Sequence, residues 1–518
     1  MNRPIRKVAV FLGVLLAALF INLNFVQVVR GDHYRNDPDN RRVLLAEYSS
    51  HRGSIVVQGV EVAKSEPTKD ELKYLRVFPQ GPLYAPVTGF NSYIYGTSGL
   101  EDAENKVLSG TDPRNFGSQL ATLFTGRNPR GGNVELTLNK AAQTAAYNAM
   151  RLPNGTYKRG AVVALNPATG AILALVSTPS FDPNVLSSHD STSIQRGWAD
   201  LQPAKDPGNP MLDRALNQLY APGSVFKVVV SAAALGAGLT PTSVIPAPNA
   251  FWPLGGSGPC PANLQAACVQ NFAGETCQNG RTASLEFALA KSCNTAFAAL
   301  AVDKIGGTLL ARQAQAFGLD TGTLSVPLDV AASTIGTSAD LSDKAALAQS
   351  AFGQRDVRIT PLQAAMIASA VADNGTLMRP YLVQQELSSS YSVLSETKPT
   401  TLNQAVSADV AQELQHMMEA VVTAPEGTGG AARITDIPGV VVGGKTGTAD
   451  TGTVVNGQQT PPHAWFAGFA LQNGLPKIAV AVIVENGGVN GNETTGGLAA
   501  APVAKAVMEA YLTSIAGH

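Results

Sequence analysis

The chain has 518 residues, too many for one ordinary hydrophobic core, so two or more domains are expected. Hydrophobic residues make up 45% and charged residues 14%, which excludes a disordered chain, and the net charge of −1 with no long basic run argues against a nucleic-acid partner.

The first element in chain order is apolar. "MNRPIRK" carries Arg3, Arg6 and Lys7, and Val8 to Val29 then run without a charge. At about 1.5 Å per residue such a helix crosses a hydrocarbon layer of roughly 30 Å. The run is longer than a signal-peptide core and no A-x-A-type site follows it, so an uncleaved anchor is expected over residues 1–29, with the N-terminus cytoplasmic and the rest of the chain outside. Asn22, Asn24 and Gln27 are the polar exceptions in the span.

A polar stretch follows to about residue 150 and closes with "NVELTLNKAAQTAAYNAM", which reads as a strand turning into an amphipathic helix. "GAVVALNPATGAILALVSTPS" then gives two apolar runs split by a turn sequence, a hairpin. A domain boundary is placed just before Gly160, giving domains over 30–155 and 156–518. Helical patterns dominate next: "SVFKVVVSAAALGAG", "SLEFALAKSCNTAFAALAVDKIG", "PLQAAMIASAVADNG" and "SADVAQELQHMMEAVV". "SSSYSVLSETKPTT" reads as a polar connector. Strands return in "VVVGGKTGTA", "AWFAGFAL" and "KIAVAVIVEN", before a last helix, "AAPVAKAVMEAYLTSI". This is a sheet whose two halves are separated by a helical subdomain.

Four cysteines, Cys260, Cys268, Cys277 and Cys293, fall in one segment rich in Gly, Pro, Asn and Gln. An even number in an exported chain points to disulfides, with three connectivities open. The pairing Cys260–Cys268 with Cys277–Cys293 is preferred. The spacings contain no C-x-x-C and no nearby histidine, so no metal is expected.

"YAPGSVFKVVV" places Ser224 and Lys227 three residues apart after a Pro-Gly break. On a helix these share a face, and a serine becomes a nucleophile only when a neighbouring base takes its proton. Lysine is that base only where burial or another cation keeps its amine neutral. A helix N-terminus also directs backbone N–H groups at a developing oxyanion. The bland alternative is an N-cap serine. A second S-x-x-K, Ser395 to Lys398, lies in the polar connector and reads as solvated surface.

Two further patterns separate these readings. Ser292-Cys293-Asn294 is the one S-x-N in the chain, on a helical pattern, and Lys445-Thr446-Gly447-Thr448 is the one K-T-G, after a strand pattern. In order and separation the three resemble the motif set of the penicilloyl serine transferases, the penicillin-binding proteins and serine β-lactamases. "RGSI" from Arg52, "YGTSGLE" from Tyr95, "GQRDVRITPLQAAMIASAVADNG" and "HAWFAGFA" resemble segments of class B, monofunctional penicillin-binding proteins, most like the actinobacterial penicillin-binding protein A type.

The resemblance implies an α/β (α+β) chain: a transpeptidase domain with an antiparallel sheet flanked by helices and an all-helical subdomain, a smaller pedestal or dimerisation-type N-terminal domain, and one anchor. It implies Ser224 as nucleophile, Lys227 as base, Ser292 and Asn294 relaying and orienting, and Lys445 facing the substrate carboxylate. Thr446, Gly447 and Thr448 would bind substrate, and the N–H groups of Ser224 and Thr448 would form the oxyanion hole. The implied reaction is D,D-transpeptidation of peptidoglycan stem peptides at D-Ala-D-Ala, without a cofactor, blocked covalently by β-lactams, beside a lipid-II glycosyltransferase of the division machinery. A D,D-carboxypeptidase, a serine β-lactamase or β-lactam sensor, and a non-catalytic division scaffold are the alternatives. No segment resembles the acidic loop that a β-lactamase uses for deacylation, and a scaffold need not keep all three motifs.

Overall fold

The computed structural model describes residues 3–31, 34, 48–115, 130–261, 268–455, 457–488, 491 and 494–516. The expected apolar element is a helix over Arg3–Asn24 that continues as a π-turn over Phe25–Val29. It buries nothing against the rest of the protein, and among the described residues Arg3–Val29 is the one helix long and apolar enough to cross a membrane.

The main sheet has five antiparallel strands in the order Val440–Ala449, His463–Gln472, Leu475–Val484, Gly160–Leu165, Ile172–Thr178. The last three strands in sequence therefore join the first hairpin across more than half the chain. Alternate residues serve opposite faces. Ala161, Val163 and Leu165 join the core that holds the helix Pro361–Ala372, whereas Val162 and Ala164 join the core under the C-terminal helix Ala501–Ala516. Both faces are covered, which is why these strands read as unbroken apolar runs. Pro361–Ala372 is buried along its whole length, started by Thr360, whose hydroxyl accepts from Gln363 N–H, and by Pro361 at its first position.

A second sheet has six strands, in the order Val393–Glu396, Val383–Leu387, Asn133–Leu136, Ile55–Val57, Val60–Pro67, Tyr74–Val77. Two of these come from beyond residue 380. The segment expected as a plain connector therefore contributes an edge strand, with Ser395 opposite Glu386. Three of its four residues are exposed and its two apolar residues are adjacent, so no apolar alternation announced it. The helix Lys140–Ala149, on the N-terminal side of the expected boundary, packs Ala142 and Ala146 into the core under the C-terminal helix.

Between this sheet and its flanking helices lies a buried ionic cluster. Arg52 Nε and Arg76 Nε donate to the two oxygens of Glu101 at 2.5 and 2.7 Å, with Glu101 fully buried. Arg52 also reaches Asn105, and Arg76 the carbonyl of Gly53. "RGSI" and "YGTSGLE" thus meet as the two sides of one charge cluster.

One expected helix is broken. "SLEFALAKSCNTAFAALAVDKIG" forms Leu285–Ala290, then a turn, then Asn294–Leu300 and a π-turn over Ala301–Ile305. At the break Ser292 takes φ +66°, and the N–H groups of Ser292 and Cys293 donate back to Leu289 and Ala288. This is a Schellman ending in which serine occupies the left-handed position that glycine usually fills. The sequence carries no glycine there, so helical periodicity ran through the break unmarked.

Candidate active site

Ser224 lies in a 3-10 turn, Gly223–Phe226, that runs into the helix Lys227–Gly236. In such a turn residues i and i+3 eclipse, so Ser224 and Lys227 point the same way. The turn is pinned from several sides. Trp465 Nε1 donates to Ala221 O at 3.0 Å, Gly223 N–H donates to Gly353 O at 3.0 Å, and Tyr220 exchanges backbone hydrogen bonds with Ile359. Gly223 has φ +53°, and a Cβ there would stand 2.7 Å from Thr448 O. At Gly447 a Cβ would stand 2.8 Å from Pro222 O. These two glycines let the K-T-G strand lie directly against the nucleophile turn.

Lys227 is fully buried, and its Nζ donates to Ser292 O and Asn294 Oδ1, both at 2.7 Å, with Ser292 Oγ at 3.2 Å. Lys445, also fully buried, donates from Nζ to Ser292 Oγ and Thr446 O, both at 2.9 Å. Burial pushes the Lys227 amine well below its ordinary value, and the neighbouring Lys445 charge adds to the effect. Burial brings Lys445 down to about 7. A neutral amine has two N–H donors and one lone pair. Lys227 spends both donors on the carbonyls of Ser292 and Asn294, which leaves the lone pair for a hydroxyl proton. Among the described residues nothing hydrogen-bonds the Ser224 hydroxyl, which faces the cavity.

The three motifs therefore converge. Ser224, Ser292, Asn294, Thr446 and Thr448 line one cavity of about 500 Å³, with both lysines beneath it. Thr446 and Thr428 share a hydroxyl hydrogen bond of 2.5 Å. The cysteines pair as Cys260–Cys268 and Cys277–Cys293, with Cα separations of 5.6 and 5.8 Å. The second bridge ties the S-x-N turn to the cavity wall at Cys277. The other S-x-x-K pair, Ser395 and Lys398, is exposed on the edge of the six-stranded sheet, away from this cavity.

Several wall residues carried no motif signal: Asn271, Glu275, Phe352, Gln354, Thr428 and Asp450. Gln354 lies in the stretch before the buried helix that carried family resemblance and Phe352 just ahead of it, but nothing local marked them as wall. Glu485 was equally silent. It accepts from Tyr220 Oη at 2.7 Å and Arg214 Nε at 2.9 Å, buttressing the nucleophile turn from behind across more than 260 residues of sequence.

A half-buried serine over a fully buried lysine, with a second lysine behind a bridging serine, is the equipment of an acyl-transferring serine enzyme. Comparison with known proteins agrees. Residues 160–509 match the penicillin-binding protein transpeptidase domain, and residues 52–134 match the penicillin-binding protein A dimerisation domain. The chain belongs to the penicillin-binding protein transpeptidase family. It is 45% identical over 513 residues to the peptidoglycan D,D-transpeptidase PbpA of Mycolicibacterium smegmatis, covering 99% of both chains. It is 43% identical over 514 residues to the PbpA of Mycobacterium tuberculosis, again covering 99% of both. Among solved structures, the ceftriaxone acyl-enzyme of M. tuberculosis penicillin-binding protein A matches with a TM-score of 0.82 at 43% identity, over 90% of this chain and 100% of that one. The penicillin G acyl-enzyme of the same protein matches with a TM-score of 0.80 at 41% identity, over 89% and 100%.

Proposed function

We propose that this chain is a peptidoglycan D,D-transpeptidase held at the plasma membrane by its N-terminal helix, working outside the cytoplasm in cell-wall synthesis and division. The observation that carries the reading is the Lys227–Ser292–Lys445 chain, its two lysines fully buried and no carboxylate in it, directly beneath Ser224.

The lone pair of neutral Lys227 takes the Ser224 proton as Oγ attacks the carbonyl of the D-Ala-D-Ala bond. The N–H groups of Ser224 and Thr448 receive the oxyanion at the turn where the two backbones meet. The proton then passes from Lys227 through Ser292 to the departing D-Ala nitrogen. Lys445, with Thr446 and Thr448, holds the terminal carboxylate of the peptide. Gly447 keeps the strand close enough for this, and Asn294 holds the Lys227 amine in place. An amine of a second stem peptide releases the acyl group as a crosslink. β-Lactams enter by the same attack and stay bound. We assign residues 30–155 as the N-terminal domain and 156–518 as the transpeptidase domain, with a lipid-II glycosyltransferase as the division partner.

Intact-protein mass spectrometry after penicillin exposure tests this. A single adduct of whole penicillin that persists for many minutes, and is lost in Ser224→Ala, is expected. Rapid multiple turnover of penicillin would identify a β-lactamase instead.

A further inference from the structure

Transpeptidation has two substrates, and the catalytic cavity has a neighbour. A second cavity of about 790 Å³ adjoins it, lined by Val269 to Gly274, Gln349 and Arg355 among others. The two share Asn271, Phe272, Asn294, Phe352, Gln354 and Asp450 as a common wall. Asp450 is the one charged side chain in that wall. It follows directly on the strand Val440–Ala449 that carries Lys445 and Thr448.

The other charges nearby are matched. Glu275 pairs with Lys291 at 2.8 Å, and Arg355 with Asp356 at 3.2 Å. Among the described residues no cation or hydrogen-bond donor pairs with Asp450. Its side chain is exposed on the cavity side, and the protein around it still removes enough hydration to raise its pKa above the ordinary carboxylate value. An ion pair made in such a setting is stronger than one in bulk water.

We infer that Asp450 is a specificity-determining residue that binds the ammonium group of the acceptor, so that the second cavity holds the amine-bearing stem peptide while the first holds the acyl-enzyme. This rests on the transpeptidase reading. A primary alkyl amine is protonated at neutral pH and meets a carboxylate as a cation. Of the two protons the ammonium gives up, the first leaves to solvent. The amine nitrogen then bonds to the acyl carbon as the bond to Ser224 Oγ breaks, and the second proton returns to Ser224 through Lys227. An anionic wall on the approach side attracts the cationic acceptor and repels a carboxylate, so it gives the acceptor a favourable path that the donor's carboxylate end does not share.

The test uses the full chain, an N-acyl-D-alanyl thioester as donor and Nα-acetyl-lysine as acceptor, separating aminolysis from hydrolysis by chromatography. Asp450→Asn is expected to raise the KM for the amine about tenfold, the loss typical of one charge-assisted contact, with Asp450→Glu recovering most of it. Acylation by fluorescent penicillin is read alongside. An unchanged amine KM, or an acylation rate that falls in step with aminolysis, overturns the inference. If the unaltered protein hydrolyses the thioester but never aminolyses it, the transpeptidase reading itself fails, which is a different result from an Asp450→Asn variant that matches a working parent.

Discussion

Two places in this molecule bury two cations side by side, and they resolve the problem in opposite ways. In the N-terminal domain, Arg52 and Arg76 share Glu101, so the charges are kept and paired. Under the catalytic cavity, Lys227 and Lys445 share only the neutral Ser292, so burial pulls both amines toward the neutral form. The residue types suit the outcomes. Arginine does not lose its proton in a protein, and its planar fork matches a carboxylate; lysine deprotonates readily when buried. One cluster is a joint between chain segments, and the other is a source of base. Burial alone therefore does not mark a site. The absence of a carboxylate beside buried lysines does.

Removing the base from the second cluster should give the largest effect. Lys227→Ala leaves Ser224 without a proton acceptor, and acylation by fluorescent penicillin should slow by roughly a hundred- to ten-thousand-fold, with thermal stability little affected or improved because a desolvated amine is gone. The contrast breaks if acylation survives. Next comes Glu101→Gln, which strands two guanidiniums in a buried site and should cost about 3–5 kcal/mol in denaturant unfolding. Penicillin acylation per folded molecule should stay near that of the parent, since the cluster belongs to the other sheet.

The two clusters should also differ in their response to pH. Burial pushes Glu101 up, but the Arg76 and Arg52 charges together hold it below its ordinary value of 4.5. Its contribution is present above that value and is lost as pH falls through the lower, folded value. Lys445 behaves in the reverse sense. Its folded value is about 7 against 10.5 for a free lysine, so between these the unfolded chain holds a proton that the folded one has shed. Stability rises with pH across that window, by up to about 1.4 kcal/mol per unit, and is at its least favourable below it. Thermal melts from pH 6 to 10 on the parent and on Lys445→Met, compared as a difference, should show the variant lacking this rise. A parallel rise in both would mean that Lys445 stays charged in the fold.

How far the sequence exposed these clusters depends on how local their signals were. Ser224–Lys227, Ser292–Asn294 and Lys445–Thr448 each span four residues or fewer, and their joint order carried the resemblance before any fold was known. The main-sheet strands were legible because burial on both faces makes them apolar throughout. Three features were not legible. The break at Ser292 lacks the glycine that marks a left-handed helix ending. The edge strand Val393–Glu396 is largely exposed and shows no apolar alternation. The cavity wall draws Asn271, Phe352, Thr428 and Asp450 from separate loops, and only packing brings them together. The Arg52–Glu101–Arg76 joint lay between these extremes: the segments of Arg52 and Glu101 carried resemblance, that of Arg76 did not, and their meeting around one carboxylate is a tertiary fact.

The smallest expected effect is the sharpest control on burial as the deciding variable. Ser395 and Lys398 repeat the spacing of Ser224 and Lys227, but they stand exposed at the edge of the six-stranded sheet, with no second lysine and no apolar wall. Nothing buries this lysine, so the pair has the spacing of Ser224 and Lys227 without the burial that sets them apart. Ser395→Ala should leave penicillin acylation unchanged and shift stability by no more than about 0.5 kcal/mol, as surface substitutions do. Acylation that fell in this variant, or a penicillin adduct mapped to the peptide containing Ser395, would show that spacing alone suffices and that burying the lysines is not what makes Ser224 reactive.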